Sequence, residues 1–419
     1  MALAGRLSTS GVVVAGLGGM LGAGVFAGLP AATAAAGAGA SVLAGTVLAW
    51  LLATSSVFAS WDQSRASPRP GTGHRTIARR LGRWPGRMAA SAAIGGRIAA
   101  AAGVAGTFGH YLMPDRPLVG ALGVITVTSG VQSAGLRVGV RLNRVVVALV
   151  LAALALAVVV CFAVPPPPPA VVTAMPGTDQ SRGLFTAAGT MIVAYLGFDR
   201  VAPPDPDGEH PAARRWGAAV VTLLTLALGC CLAVGSAVLR QLGPIRFGLS
   251  PAPLRDAVVA ADGAAVVPVV VVGAAVATLS ALWLMLSESR HAVTAVAADG
   301  HLPDALAADR LACWASGAVA AVVVTVVGPV AAISFAACCV LASYAFGNAS
   351  ACVLLGRGGR MWPACTACCG LGLAVLLWMK MPPAPLAASV CTVVGGGALL
   401  AVGTRFTRRP RPSAEPRGR

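Results

Sequence analysis

The chain has 419 residues, of which 57% are hydrophobic and 11% charged, and its mean hydropathy is +0.80. That composition excludes an ordinary soluble domain and predicts an all-α polytopic membrane protein. The formal net charge of +17 would suit a nucleic-acid partner, but its distribution along the chain points to a membrane instead.

Twelve stretches are apolar over roughly the 20 residues that a bilayer crossing needs: 11–34, 40–60, 88–112, 118–135, 143–164, 183–202, 216–239, 264–287, 313–329, 332–355, 362–379 and 384–404. Residues 1–10 carry only Arg6, so no cleaved signal peptide is expected. The first stretch contains Gly16, Gly18, Gly19, Gly22, Gly24 and Gly28. Glycine costs about 1 kcal/mol relative to alanine inside a helix, so Gly22-Ala23-Gly24-Val25-Phe26 is a poor place to continue one. Two readings follow. The span either breaks there, with its freed backbone groups facing a polar cavity as in transporters, or its small residues let neighbouring helices approach closely.

A Gly/Ala turn separates the first two spans. The loop 62–87 is rich in Pro, Gly and Arg and is expected to hold a short amphipathic segment at the membrane surface. Span 3 contains Arg97, which the spacing from Arg87 predicts to snorkel to the nearby interface rather than to meet a counter-charge. His110, near its end, reads as interfacial. Span 5 begins at Asn143-Arg144 and ends in the proline run 165–169, a stiff connector.

Span 6 carries Val193, Ala194, Tyr195, Leu196, Gly197, Phe198, Asp199 and Arg200. Five spans are an odd number, so a second set of five inserts inverted, and span 6 becomes the counterpart of span 1. Adjacent Asp199 and Arg200 cannot share one face of a regular helix. Either the helix is unwound there, or it has ended and the pair is interfacial. Span 8 ends at Ser287-Glu288-Ser289-Arg290, where Glu288 is either half of a gating salt bridge or a solvated helix end. Spans 11 and 12 carry no charge beyond Lys380 at an edge and are expected to be peripheral.

With the amino terminus inside, Arg6, the arginines of 62–87, Arg137, Arg141, Arg144, Arg214, Arg215, Arg290, Arg310, Arg357, Arg360 and the 405–419 tail share one side. Only Arg116, Arg182, Arg240, Arg246, Arg255 and Lys380 fall on the other. This positive-inside bias puts both termini in the cytoplasm of a multi-pass cytoplasmic-membrane protein, and its partner is anionic lipid, not nucleic acid. All 11 cysteines lie in or beside spans. Cys365 and Cys368 form a C-x-x-C with no histidine or second cysteine pair nearby, so they read as packing residues, and neither metal nor cofactor is expected.

Four segments together resemble the amino acid–polyamine–organocation (APC) superfamily of permeases, particularly the bacterial relatives of cationic amino acid transporters. Gly22-Ala23-Gly24-Val25-Phe26, with Gly28 and Pro30, is similar to the family's span-1 motif. Residues 78–86 resemble its inner-loop pattern, and 194–202 its span-6 pattern. Ser289-Arg290 with Asp299-Gly300-His301-Leu302-Pro303 resembles the segment after span 8.

The resemblance implies a five-plus-five inverted-repeat fold with two extra helices. Spans 1–5 would occupy 11–164 and spans 6–10 would occupy 183–355. Spans 11–12 would follow at 362–404, between cytoplasmic ends at 1–10 and 405–419. It implies a small-molecule substrate, an amino acid or related amine, bound by main chain. The carboxylate would meet the amides of Gly22, Ala23 and Gly24. The ammonium would meet carbonyls around Met20, Leu21, Val193, Ala194 and Leu196, beside Tyr195 and Gly197. Helix ends suit such a zwitterion without charged side chains.

The sequence also departs from the family. Val193 replaces a large aromatic that closes over the substrate. Val150 stands where many members carry a span-5 lysine. Phe58-Ala59-Ser60-Trp61 lacks the family's acid, and Ala298 replaces an arginine. The expected function is secondary transport by alternating access; a transport-inactive sensor or accessory subunit is the alternative. Proton coupling would use Asp199 or Glu288, possible gating groups together with Arg200, whereas substrate exchange needs neither. No nucleophile–base or metal spacing supports an enzyme.

Overall fold

A computed structural model describes residues 16–37, 39–66, 72–136, 139–166, 180–198, 210–355 and 361–406. Among these residues the chain is helical and contains no strand. Its helices are α1 (Gly16–Ala36), α2 (Gly39–Ala66), α3 (Gly73–Leu81), α4 (Arg83–Leu112), α5 (Pro117–Ser133), α6 (Val140–Ala163) and α7 (Gln180–Met191). They continue as α8 (His210–Leu249), α9 (Pro253–Ala260), α10 (Val267–Ala298), α11 (Asp309–Val327), α12 (Pro329–Leu355), α13 (Met361–Met379) and α14 (Pro383–Phe406).

Among the described residues, 8 helices are long and apolar enough to cross a membrane. Shorter apolar helices occupy Ser41–Val57, Pro117–Ser133 and Cys365–Met379. This is a multi-pass membrane protein. The stretch expected at 183–202 forms α7 and a turn, and Asp199 and Arg200 lie outside the described residues.

Burial separates centre from periphery. The apolar window of α1 is 89% buried and that of α4 is 72% buried, against 33% for α6 and 22% for α14. Side chains such as Val145, Val159, Val322 and Leu399 are exposed, which fits a lipid-facing surface. The core gathers on α4, which touches α12, α10, α5, α14, α11 and α3.

Its sequence explains why. Ala99, Ala100, Ala101, Ala102, Val104 and Ala105 are buried, and small residues on one helix let several others approach. A Cβ at Gly103 would stand 2.6 Å from Ile333 Cδ1, and one at Gly106 would stand 2.8 Å from Pro329 Cβ. Without a side chain there, α12 can lie directly on the α4 backbone.

The amphipathic segment expected in loop 62–87 is α3, with Thr76 and Ile77 buried and Arg79 and Arg80 in its last turn. Gly82, at φ 107, then turns the chain directly into α4. Only glycine adopts that backbone conformation readily.

Candidate functional site

At the first glycine cluster, read as either a break or a seam for close packing, the helix is widened and closely packed rather than broken. Gly22–Gly28 is a π-helical segment, and Leu29 N–H donates to the Gly24 carbonyl five residues back, so the turn is one residue wider than an α turn rather than opened. Leu21 and Leu29, which flank it, keep right-handed helical angles. Propensity argued for interruption, but packing kept the segment wound. A Cβ on Gly22 would collide with the Ala277 carbonyl of α10, and one on Gly24 would stand 2.7 Å from Ala194 Cβ. All residues of the segment are buried. Wide turns of this kind recur at functional sites because they displace carbonyls from the regular ladder.

The second expected break is a true interruption. α7 stops at Met191 and tightens into a 3-10 turn, Ile192–Tyr195. Leu196 is extended (φ −61°, ψ 135°), and its N–H donates to the Val193 carbonyl at 3.2 Å. Gly197 follows at φ 105, a left-handed value that a side chain would strain.

The two irregular segments meet. Met20, Leu21, Gly22, Ala23 and Gly24 lie on one side, and Val193, Ala194, Tyr195 and Leu196 on the other, all buried. Gly24 and Ala194 form the point of contact. Leu284 of α10 packs against Gly19 and would stand 2.6 Å from a Cβ on Gly197, so one side chain touches both segments. Cys231 of α8 closes another side, its Sγ 3.2 Å from a Cβ placed on Gly24. Neither Leu284 nor Cys231 stands out in the sequence, because each is one apolar residue within an apolar helix.

Aromatic side chains frame the crossing. Phe26 meets the Tyr111 ring edge-on at 5.5 Å between centroids, and Phe198 meets Tyr344 at 5.9 Å. The Tyr195 hydroxyl donates to the Thr46 carbonyl of α2 at 3.2 Å. Tyr111 Oη accepts from the Leu254 N–H of α9 at 3.2 Å. None of the residues at the crossing is ionisable at neutral pH, so its polarity comes from main chain and tyrosine hydroxyl. A cavity of about 440 Å³, lined in part by Leu242, Arg246, Ser250 and Asp256, lies elsewhere, between the end of α8 and α9. On α6, Val150 is fully buried, and Asn143 Oδ1 and Val147 lie beside Gly18 of α1.

Arg97 does not simply snorkel. Its Nε donates to Glu288 Oε2 at 2.8 Å, joining α4 to α10, with side-chain exposures of 18% and 9%. The counter-charge lies 191 residues away in the chain, beyond the reach of local spacing. Mutual neutralisation lowers the cost of placing either charge in an apolar bundle.

The start of α3 meets the end of α10. Arg75 grips Asp299 through Nε to Oδ2 at 2.9 Å and Nη2 to Oδ1 at 2.6 Å, and His74 Nε2 lies 2.9 Å from Oδ2. Arg290 pairs with Asp309 at 2.9 Å. Burial by itself raises the Asp299 carboxyl, but the hydrogen bonds from Arg75 and His74 outweigh it and hold the group below its usual range. His301 is pushed down by burial and then by the Arg87 charge. In both cases the unfolded chain binds protons more readily than the folded one, so both groups favour folding at higher pH. The His301 contribution fades as pH falls below about 6.5, and that of Asp299 fades below about 3.9. Asp299→Asn should therefore lower unfolding stability by about 1 kcal/mol at neutral pH, given the partly exposed pair. The gap to the parent should close in acid, which paired thermal melts across pH would read.

Among the described residues no group of histidine, cysteine, aspartate or glutamate is arranged to hold a metal. No family model matches the sequence. Full-length relatives do. A protein of Mycobacterium bovis described as an uncharacterized transporter is 33% identical over 97% of this chain and 93% of its own length. Proteins with the same description from two strains of Mycobacterium tuberculosis match equally, at 33% identity and the same coverage. The chain belongs to this family of transporters. The match runs through every helix described above, so the buried crossing of α1 and α7 lies within the region that this transporter shares with its relatives.

Proposed function

We propose that this transporter is an APC-type permease that moves an amino acid or related amine across the cytoplasmic membrane by alternating access. In this reading it has twelve spans, a five-plus-five inverted repeat at 11–164 and 183–355, peripheral spans at 362–404, and both termini in the cytoplasm. The observation that carries the reading is the meeting of two backbone irregularities, the π turn at Gly22–Gly28 and the interruption at Leu196–Gly197, inside one buried contact.

Main-chain groups displaced from the helical ladder suit a zwitterion. Amides at Gly22, Ala23 and Gly24 would take the carboxylate, and carbonyls near Met20, Leu21, Val193, Ala194 and Leu196 the ammonium. Because Gly24 and Ala194 are in contact, the site is closed, and substrate enters when α1 and α7 part. Glu288 is engaged by Arg97, which favours exchange of one substrate for another over proton symport through that carboxylate. Asp199 and Arg200 are the remaining candidates for coupling or gating.

Two observations favour a second reading, a substrate sensor or accessory subunit without flux. The contact is tightly packed, and Val193 stands where the resembled family has an aromatic gate. A thermal-shift screen against amino acids and polyamines, followed by uptake into proteoliposomes, separates the two. Under the permease reading, a substrate at a hundredfold excess over its dissociation constant stabilises the fold by about 2.7 kcal/mol, and the same compound is taken up or exchanged. Stabilisation without flux would select the sensor, and no shift with any amino acid or amine would sink both.

A further inference from the structure

α12 and α13 are in close contact. Gly370 of α13 lies against the Asn348 side chain of α12, and a Cβ there would stand 2.9 Å from Asn348 Oδ1. Asn348 is itself anchored, its Nδ2 donating to Ser56 Oγ of α2 at 2.9 Å. Arg80 Nη1 of α3 donates to the Ser350 carbonyl at 3.4 Å, tying the same end of α12 to α3. The helices run in opposite directions. One turn further along α12 and half a turn back along α13, the register brings Cys352 opposite Cys368, with their sulfurs 3.1 Å apart.

Both thiols are free; Cys352 is half-buried and Cys368 exposed. Cys365 and Cys369 are exposed on the same helix but make no such sulfur contact among the described residues. The C-x-x-C motif therefore matters through one of its members and a cysteine on another helix.

We propose that Cys352 and Cys368 form a redox site in which a two-electron oxidant joins α12 to α13 through a disulfide. Two S–H bonds break and one S–S bond forms, while two electrons and two protons pass to the oxidant. Closing the gap to a bond of about 2.05 Å asks little movement of helices already in contact. Cys368 is exposed on an apolar helix, so a small permeant reagent is the suitable probe. Diamide, an azo compound, accepts both electrons and both protons at its N=N bond and leaves as the hydrazine.

The test uses the full chain in liposomes, treated with diamide, blocked with N-ethylmaleimide and digested without reduction. Trypsin cuts at Arg357 and Arg360, between the two cysteines, so a disulfide holds otherwise separate peptides together. The expected result is a fall by two in free thiols from the 11 of the reduced chain. A linked peptide joining Cys352 to Cys368 should appear and be released by dithiothreitol. Cys352→Ser and Cys368→Ser should each abolish the link and leave the other thiol open to alkylation, with melting temperatures matching the reduced parent. Full alkylation of both thiols after diamide in the folded parent would overturn the proposal. So would a link from Cys352 to Cys365 or Cys369, or one between two chains. These readouts are independent of substrate, so they stand or fall separately from the permease reading.

Discussion

Gly24→Leu is expected to reduce substrate uptake in proteoliposomes at least a hundredfold. The reason is local and steric. The first carbon of any side chain at Gly24 would stand 2.7 Å from Ala194 Cβ, 3.2 Å from Ala194 Cα and 3.2 Å from Cys231 Sγ. Two of those neighbours are fixed by the backbone of the interrupted segment and cannot rotate away. Overpacking a filled core costs about 1–3 kcal/mol, and four added carbons at a main-chain crossing belong at the top of that range or beyond.

Loss of uptake alone would not separate a blocked site from a damaged fold, so smaller changes complete the test. Gly24→Ala should be impaired, and adding Ala194→Gly, which removes the carbon it strikes, should restore a measurable part of uptake. Gly123→Ala, where nothing lies within 4 Å, should behave as the parent. Unchanged uptake by a folded Gly24→Leu protein would remove this crossing from the transport path.

The same position shows how far the sequence could be read and where it stopped. Composition and apolar length point to a membrane-spanning helical bundle because a bilayer imposes both on a chain that crosses it. Glycine clustering located the first irregular segment, while the Asp199-Arg200 pair and the family resemblance drew attention to the second. Neither signal could say what form each would take. Gly197 adopts a left-handed φ of 105, whereas Gly22 and Gly24 stay wound because α10 and the 192–195 turn press against them. That difference is set by neighbours contributed from far along the chain.

Long-range pairs were hidden for the same reason. Arg97 and Glu288 were each visible as a charge in an apolar setting, but only the packing of α4 on α10 shows that they answer one another. The C-x-x-C motif, read from the sequence as packing residues, hid a long-range contact of another kind. Its spacing draws attention to Cys365 and Cys368 as a pair, while helix packing gives Cys368 a partner on α12.

Removing one member of the Arg97–Glu288 pair should produce the largest loss of stability. Arg97→Ala leaves the Glu288 carboxylate, 9% exposed, without its guanidinium. An uncompensated charge of that kind costs about 3–5 kcal/mol. Glu288→Ala strands the arginine to similar effect. The pair itself need not stabilise the bundle, because burying both charges cancels much of their attraction. Arg97→Met with Glu288→Leu should therefore melt near the parent temperature or above it, since such replacements are neutral or gain about 1–4 kcal/mol.

A double-mutant cycle on thermal unfolding in lipid reads this directly. Two losses that simply add would mean that the side chains do not interact. The apolar double variant also separates structure from mechanism. If the ion pair only holds α4 to α10, that variant folds and exchanges substrate at the parent rate and with the parent pH profile. If Glu288 carries a coupling proton, the protein still folds, but concentrative uptake driven by a proton gradient disappears while exchange persists. The engagement of Glu288 by Arg97 at 2.8 Å makes the first outcome the expected one.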